Sequence, residues 1–194
     1  MRGPFLTVFI VAALLLSPGI SRAEKIKPKS LESIEFLTGF GWGKLRAKQN
    51  YNLYPLIVDF NFNLKPLAKK MNINPASLLQ FQVEPFISPV SSPKSNIEIG
   101  TAFFFKIGIL PHTSKLQPYA KIGAGFVFMT LHTREQGSQF NFIEQGGFGA
   151  HYFFKKNITF TMEGRIRHLS NASIARPNSG INTYFVVAGI SRRF

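Results

Sequence analysis

His168 and Ser170 end one strand-like segment, and their side chains could together carry out nucleophilic chemistry. Residues i and i+2 of a β-strand lie on the same face, so the imidazole and the hydroxyl are expected side by side. A histidine beside a serine hydroxyl can accept its proton and activate the oxygen as a nucleophile. The same face continues back along the segment through Ile166, Gly164, Met162, Phe160 and Ile158. The pair is therefore predicted to end an apolar stripe.

Segments with period-2 alternation follow one another from about residue 31 onward and predict β-strands. In the segment from Ile97 to Ile109, apolar residues alternate with Glu98, Lys106 and small residues. About eight such segments are predicted, near residues 33–43, 51–62, 78–88, 96–109, 118–131, 140–154, 158–169 and 182–194. Turn residues rich in Pro, Gly, Asn and Ser separate them. No helical periodicity of useful length is found, so an all-β chain is predicted.

The first residues of the chain predict export. Arg2 precedes a run from Phe5 to Leu16 that is apolar apart from one threonine, and Ser21-Arg22-Ala23 offers small residues where a signal peptidase cuts. Residues 1–23 are therefore predicted to be a signal peptide, and residues 24–194 a single mature domain. An N-terminal anchor helix is the alternative, but the apolar run is short for a membrane span.

The composition narrows the classes of partner. The chain has no cysteine, which excludes disulfides and cysteine–metal sites, and its formal net charge is +14. A strongly basic exported protein suggests an anionic partner, and export argues against nucleic acid. An anionic membrane surface or a phosphorylated glycolipid fits better. The histidines show no metal-binding spacing, so neither a metal nor a cofactor is expected.

Two architectures satisfy the alternating pattern: a soluble β-sandwich and an outer-membrane β-barrel. The barrel is favoured because the segments are long, their number is even, and their non-apolar faces combine glycine with isolated charges. Aromatic residues near segment ends suit interfacial girdles: Tyr51, Tyr54, Tyr119, Tyr152, Phe153, Tyr184 and Phe194. The final phenylalanine also resembles the assembly signal of bacterial outer-membrane barrels. We predict an eight-stranded antiparallel transmembrane β-barrel, located in the bacterial outer membrane.

Barrel topology gives the histidine–serine pair a position. With both chain ends in the periplasm, the seventh strand runs outward and brings His168 and Ser170 to the outer rim, facing lipid. Polar groups facing hydrocarbon are costly, and the lipid of that leaflet is lipopolysaccharide, so chemistry on a lipid ester is one interpretation. Ordinary interface residues are the alternative. Arg176 in the following loop could bind a lipid A phosphate, or could be a solvated charge.

Residues Arg165 to Tyr184, RIRHLSNASIARPNSGINTY, resemble the signature region of the lipid A 3-O-deacylase family. The matching elements are His168-x-Ser170-Asn171, then Pro177-Asn178-x-Gly180-Ile181, then the aromatic-ended final strand. This detailed match covers about a tenth of the chain. The resemblance implies an eight-stranded barrel that hydrolyses the ester-linked acyl chain at the 3-position of lipid A, without a cofactor.

The resemblance also implies roles for individual residues. Ser170 corresponds to the nucleophile and His168 to its general base, while Asn171 and Asn178 match asparagines assigned to an oxyanion hole. Ester hydrolysis needs these parts: a deprotonated hydroxyl, a proton acceptor, and donors where oxyanion charge develops.

One position departs from the family pattern. Members carry a glutamate where this chain has Asn182, which shares parity with Tyr184 and could face the histidine across the last strand pair. An asparagine carbonyl can orient an imidazole but supplies no negative charge. Three outcomes are open: a dyad oriented by the amide, a substitute acid, or reduced or lost catalysis. Of the candidate acids, Glu163 faces the lumen by parity, and Glu144 is the weaker alternative.

The sequence thus predicts an outer-membrane serine esterase acting on lipopolysaccharide, with a non-catalytic structural barrel as the alternative. A small pore is disfavoured because side chains fill an eight-stranded lumen. The sequence leaves open which acyl position is cleaved and whether two barrels pair as a homodimer.

Overall fold

The computed structural model describes residues 31–46, 48–111 and 113–194 of the chain. Nine strands and one short helix are found within these ranges. The strands are β1 (Leu31–Lys44), β2 (Asn50–Leu53), β3 (Leu56–Asn63), β4 (Ser77–Ser92), β5 (Asn96–Pro111), β6 (Leu116–Met129), β7 (Phe140–Lys155), β8 (Ile158–Ser170) and β9 (Ile181–Arg193). The helix, α1 (Lys65–Lys70), lies between β3 and β4. The predicted signal peptide, residues 1–23, lies outside the described residues.

The strands form one closed antiparallel sheet. Consecutive strands pair with each other except β2 and β3, and β1 also pairs with β9, from Ser33 opposite Arg193 to Gly43 opposite Thr183. Because β2 and β3 both pair with β1 on one side and β4 on the other, they share one position in the ring. The ring therefore has eight positions, and the predicted eight-stranded antiparallel barrel is confirmed.

The prediction of one unbroken strand over residues 51–62 was wrong in detail. The strand is interrupted at Tyr54 and Pro55, between β2 and β3. Proline has no backbone N–H to donate to a ladder, which accounts for a break at this point. The short helix α1 was also not predicted, since six residues are too few to show a helical period. Among the described residues, no helix is long and apolar enough to cross a membrane.

Side chains alternate between an apolar outer wall and a polar lumen, as the period-2 pattern predicts. On β8, Phe160, Met162 and Ile166 are exposed on the outer wall, whereas Glu163 and Arg167 are buried inside. This is the arrangement of a barrel whose outer face meets lipid. Ion pairs fill the lumen. The Nζ atom of Lys121 lies 3.2 Å from a Glu84 carboxylate oxygen and 3.1 Å from one of Glu163.

Three aromatic residues that were expected in the girdles instead face the lumen; one of them, Phe153, is half-buried with its ring against the guanidinium of Arg193. Tyr51 and Tyr119 are buried, and their hydroxyls donate to the carboxylates of Glu98 and Glu163. Both tyrosines occupy strand positions whose side chains point inward. A phenol is stable there because its hydroxyl can hydrogen-bond within a polar interior. Tyr54, Tyr152, Tyr184 and Phe194 do lie exposed.

The two ends of the barrel differ. Loops 45–49, 93–95, 130–139 and 171–180 connect the strands at one end, which we call the loop end. At the opposite end β1 begins, β9 ends and helix α1 lies, together with short turns. Because β8 runs toward the loop end, its last residues, His168 to Ser170, lie there.

Candidate active site

His168 and Ser170 lie on the outer wall at the loop end, where the sequence predicted them. His168 is exposed and Ser170 is half-buried, and both share the outward face of β8 with Ile166. Their cross-strand neighbours come from both sides. On β7, Phe142 lies opposite Ser170, and on β9, Asn182 lies opposite His168. Three adjacent strands therefore build the candidate site.

Asn182 holds the imidazole of His168. The Nδ1 atom of His168 lies 2.6 Å from the Oδ1 atom of Asn182, so the predicted approach of Asn182 across the last strand pair is confirmed. An amide oxygen only accepts hydrogen bonds, so the tautomer that fits this contact carries its proton on Nδ1. The Nε2 atom then has a free lone pair. This is the tautomer that a general base beside Ser170 requires.

Gly180 closes the space behind the imidazole. Its φ angle is +70°, a left-handed conformation that favours glycine. A Cβ atom at this position would overlap the Cε1 atom of His168 and would lie 3.0 Å from Nε2. The site therefore needs glycine here for two reasons, backbone conformation and contact with the ring. Since the imidazole lies against Gly180 and bonds to Asn182, few ring orientations remain open to it.

Asn171 braces the loop that follows β8. Its side chain is fully buried, and its amide NH2 group donates to the carbonyl oxygens of Ala175 at 3.0 Å and Pro177 at 3.2 Å. Both amide protons are thereby used inside the loop. To act as the expected oxyanion donor, the Asn171 side chain would have to give up one of these loop hydrogen bonds. Within this structure its observed contacts are those of a scaffold residue.

Asn178 occupies a more open position in the same loop. Its Oδ1 atom accepts a hydrogen bond from the backbone N–H of Asn171 at 2.9 Å, which fixes the orientation of the side-chain amide. The NH2 group lies 3.5 Å from the hydroxyl of Ser173 and is half-buried. At least one of its two protons is therefore free to donate elsewhere, as an oxyanion donor must.

A second loop supports the first. The N–H of Gly137 donates to the carbonyl of Pro177 at 2.7 Å, and the N–H of Ser179 donates to the carbonyl of Glu135 at 2.8 Å. Loops 130–139 and 171–180 thus brace each other through backbone bonds. Arg176 lies exposed in the second loop, and no ion pair joins it to another residue in the described part of the chain. Its guanidinium is available to an anion.

The structure brings one further residue to the site. Glu144 on β7 lies directly opposite His168 and faces outward. The sequence alone offers it only as a weak candidate acid, since 24 positions separate the two residues in the chain. The sequence does contain one indication of this position. Glu144 and His168 both occupy outward-facing positions, in predicted strands that are neighbours in the chain.

Aromatic residues flank the site on the outer wall. On one side, the rings of Tyr184 and Trp42 are 6.0 Å apart, and on the other side those of Phe140 and Phe142 are 5.5 Å apart. A polar pair between apolar walls suits an amphiphilic substrate. No group of three or more metal-binding side chains occurs among residues 31–46, 48–111 and 113–194.

Comparisons with known proteins agree with the resemblance seen in the sequence. A family model for lipid A 3-O-deacylases (PagL) matches residues 58–191. The barrel is similar to the crystal structure of the outer membrane enzyme PagL, with a TM-score of 0.59 and 16% identity over 81% of this chain and 97% of that chain. It is also similar to Neisserial surface protein A (NspA), with a TM-score of 0.61 and 10% identity over 84% and 97% of the two chains. At these identities the structural likeness shows the fold alone. No curated protein matches the sequence.

Proposed function

The chain belongs to the lipid A 3-O-deacylase family, and from this premise we propose that it is an outer-membrane serine esterase that removes the ester-linked acyl chain at the 3-position of lipid A. One observation carries the proposal. His168 shares an outward face with Ser170 at the loop end, and its Nδ1 atom is held 2.6 Å from Asn182. A general base with the required tautomer thus lies beside a nucleophile on the lipid-facing wall.

The reaction begins when the Nε2 atom of His168 takes the proton from the Ser170 hydroxyl as the oxygen attacks the ester carbonyl carbon. The carbonyl oxygen becomes an oxyanion, and the free amide proton of Asn178 donates to it. When the intermediate collapses, the carbon–oxygen ester bond breaks and the imidazolium gives its proton to the departing sugar hydroxyl. Water then attacks the acyl-enzyme by the same route, which releases the fatty acid and restores Ser170.

The loop residues have separate tasks in this scheme. Asn171 anchors the backbone around Ala175 and Pro177 and, through its own N–H, orients the Asn178 side chain. The exposed guanidinium of Arg176 is suited to a phosphate of lipid A, because its planar donors match phosphate oxygens. Asn178 therefore donates to the reacting oxygen while Arg176 helps to orient the sugar headgroup.

Asn182 acts as an orienting residue at the position where the family has glutamate. Its carbonyl keeps the proton on Nδ1 and leaves Nε2 free to accept the Ser170 proton, as the asparagine does in cysteine–histidine–asparagine enzymes. An amide carries no charge to stabilise the imidazolium. Without another source of negative charge, turnover would be slower than that of a complete triad.

The location of the site suits a substrate that never leaves the membrane. The acyl chains of lipid A lie against the outer wall of the barrel, and the aromatic pairs around Trp42 and Phe142 provide apolar surface on either side of the ester. The sugar and its phosphates lie level with loops 130–139 and 171–180. No channel through the lumen is required.

The test is deacylation of lipopolysaccharide by the refolded protein in detergent, read by mass spectrometry of lipid A. We expect the loss of one 3-hydroxyacyl chain, and no loss with Ser170→Ala. Ser95→Ala, which changes an exposed serine in another loop of the same end, is the matched control and should retain activity. Unchanged lipid A with correctly folded wild-type protein would support the structural barrel instead.

A further inference from the structure

We propose that Glu144 supplies the negative charge that Asn182 cannot, acting as the electrostatic partner of His168 during catalysis. The inference rests on the proposed esterase function. It assigns to two residues the tasks that one acid performs in a triad: Asn182 orients the imidazole from β9, and Glu144 stabilises its charged form from β7.

The strand register brings the two side chains together. On β7 and β8, Glu144 lies opposite His168, with Phe142 opposite Ser170 on one side and Gly146 opposite Ile166 on the other. Directly opposed residues on one face of an antiparallel pair have Cβ atoms about 5 Å apart. A glutamate side chain is longer than this separation, so a change of its rotamer is enough to bring the carboxylate to the imidazole. Gly146 leaves the space beside Glu144 unobstructed.

The surroundings of Glu144 give it no other partner. Its neighbour on β6 is Ala124, and Phe142 and Gly146 flank it along its own strand. Within the part of the chain that the structure describes, no ion pair or hydrogen bond joins its carboxylate to another side chain. A carboxylate on a lipid-facing wall is unfavourable unless it serves a function. The neighbouring group that becomes cationic is His168.

Glu144 and Asn182 lie opposite His168 on the two neighbouring strands, β7 and β9. The Nδ1 atom is already bonded to Asn182, so Glu144 acts through space and does not replace that bond. When Nε2 takes the Ser170 proton, the ring becomes a cation, and a nearby carboxylate lowers the energy of that charge. The apolar wall around the site strengthens the attraction because it excludes water. No proton passes to the carboxylate in this scheme.

The first test is Glu144→Gln, which keeps the shape and removes the charge. We expect kcat to fall by about 10- to 100-fold while KM for lipopolysaccharide stays within about twofold, because the charge acts on the transition state. Glu32→Gln, which removes a carboxylate at the opposite end of the barrel, is the matched control and should leave kcat unchanged. Heat-dependent mobility in detergent gels checks that every variant has folded.

The second test is rescue. Asn182→Glu places a carboxylate on the other side of the ring, so we expect the effect of Glu144→Gln to be several-fold smaller in the Asn182→Glu background. A merely structural role for Glu144 would give the same loss in both backgrounds, which would overturn the inference. An active wild type with Glu144→Gln unchanged would also overturn it while leaving the esterase proposal intact. An inactive, folded wild type would overturn both.

Discussion

Replacing Gly180 with alanine tests whether the imidazole position seen in the structure is the working one. The added Cβ atom would overlap the Cε1 atom of His168 and lie 3.0 Å from its Nε2 atom, whereas ordinary contacts are 3.4–4 Å. The ring would therefore have to move by about 1 Å, and a displacement of that size can cost about 100-fold in rate. We expect kcat of Gly180→Ala to fall by about 100-fold.

The same substitution also strains the backbone. Gly180 has a φ angle of +70°, and an alanine in that region costs about 1–2 kcal/mol. This is small enough for the barrel to fold, so the loss of activity should exceed any loss of stability. A gel-shift unfolding series in detergent would measure stability, and lipid A mass spectrometry over time would measure turnover.

Gly164→Ala is the matched control. Gly164 lies on the outward face of β8, as His168 does, but a Cβ atom added there meets nothing within 4 Å. We expect its turnover to stay within about twofold of wild type. If Gly180→Ala retained wild-type turnover, or if both glycine variants lost activity equally, the proposed fit between Gly180 and the imidazole would be refuted.

Two further predictions concern the oxyanion donor and the lumen. Asn178→Ala removes the amide that can donate to the oxyanion, so we expect kcat to fall by about 100- to 1,000-fold. The same lipid A assay would measure this fall. A loss below tenfold would contradict that role. Glu98→Ala leaves the buried guanidinium of Arg167 without its carboxylate, which it contacts at 2.7 and 3.2 Å, and deprives Tyr51 of its acceptor. We expect the free energy of unfolding of the barrel to fall by about 3–5 kcal/mol. Urea unfolding followed through the fluorescence of its single tryptophan, Trp42, would measure this change. Unchanged stability would contradict the view that this pair supports the lumen.

The fold could be predicted from the sequence because a lipid-facing wall and a polar lumen impose a strict period of two. The stripe from Ile158 to His168 fixed which residues of β8 face outward, and the structure agrees at Phe160, Met162 and Ile166. The pattern does not show where a strand is interrupted. The break at Tyr54 and Pro55 depends on backbone hydrogen bonding, which alternation of side chains does not record.

The candidate site was predicted in part. Local spacing was enough to pair His168 with Ser170, and parity was enough to bring Asn182 toward the ring. The role of Asn171 could not be read in the same way, because it depends on where Ala175 and Pro177 turn their carbonyls in an irregular loop. A side chain in such a loop can point toward the reaction or into the loop, and spacing alone does not distinguish the two.

The position of Glu144 opposite His168 could not be predicted from the alternation of side chains, because alternation does not fix the register between two strands. The apolar stripes of β7 and β8 require residues of the same parity to face each other, but a shift of two residues would preserve both faces and place Phe142 or Gly146 beside His168 instead. The two-residue turn at Lys156 and Asn157 does not settle the register, because an irregularity between Phe153 and Lys155 shifts it. The turn places Lys155 opposite Ile158, a pair of different parity, and the irregularity then places Phe153 opposite Thr159, which returns the ladder to the parity of the stripes.

The consequence is that an irregularity at the opposite end of the hairpin determines which side chain lies beside the general base. Removing one residue of the irregularity would favour a register shifted by one residue, in which Glu144 no longer lies opposite His168. The apolar wall opposes any slip by one residue, because a slip of that size would turn every outward side chain into the lumen. The irregularity and the lipid-facing pattern together therefore maintain the register in which Glu144 lies opposite His168.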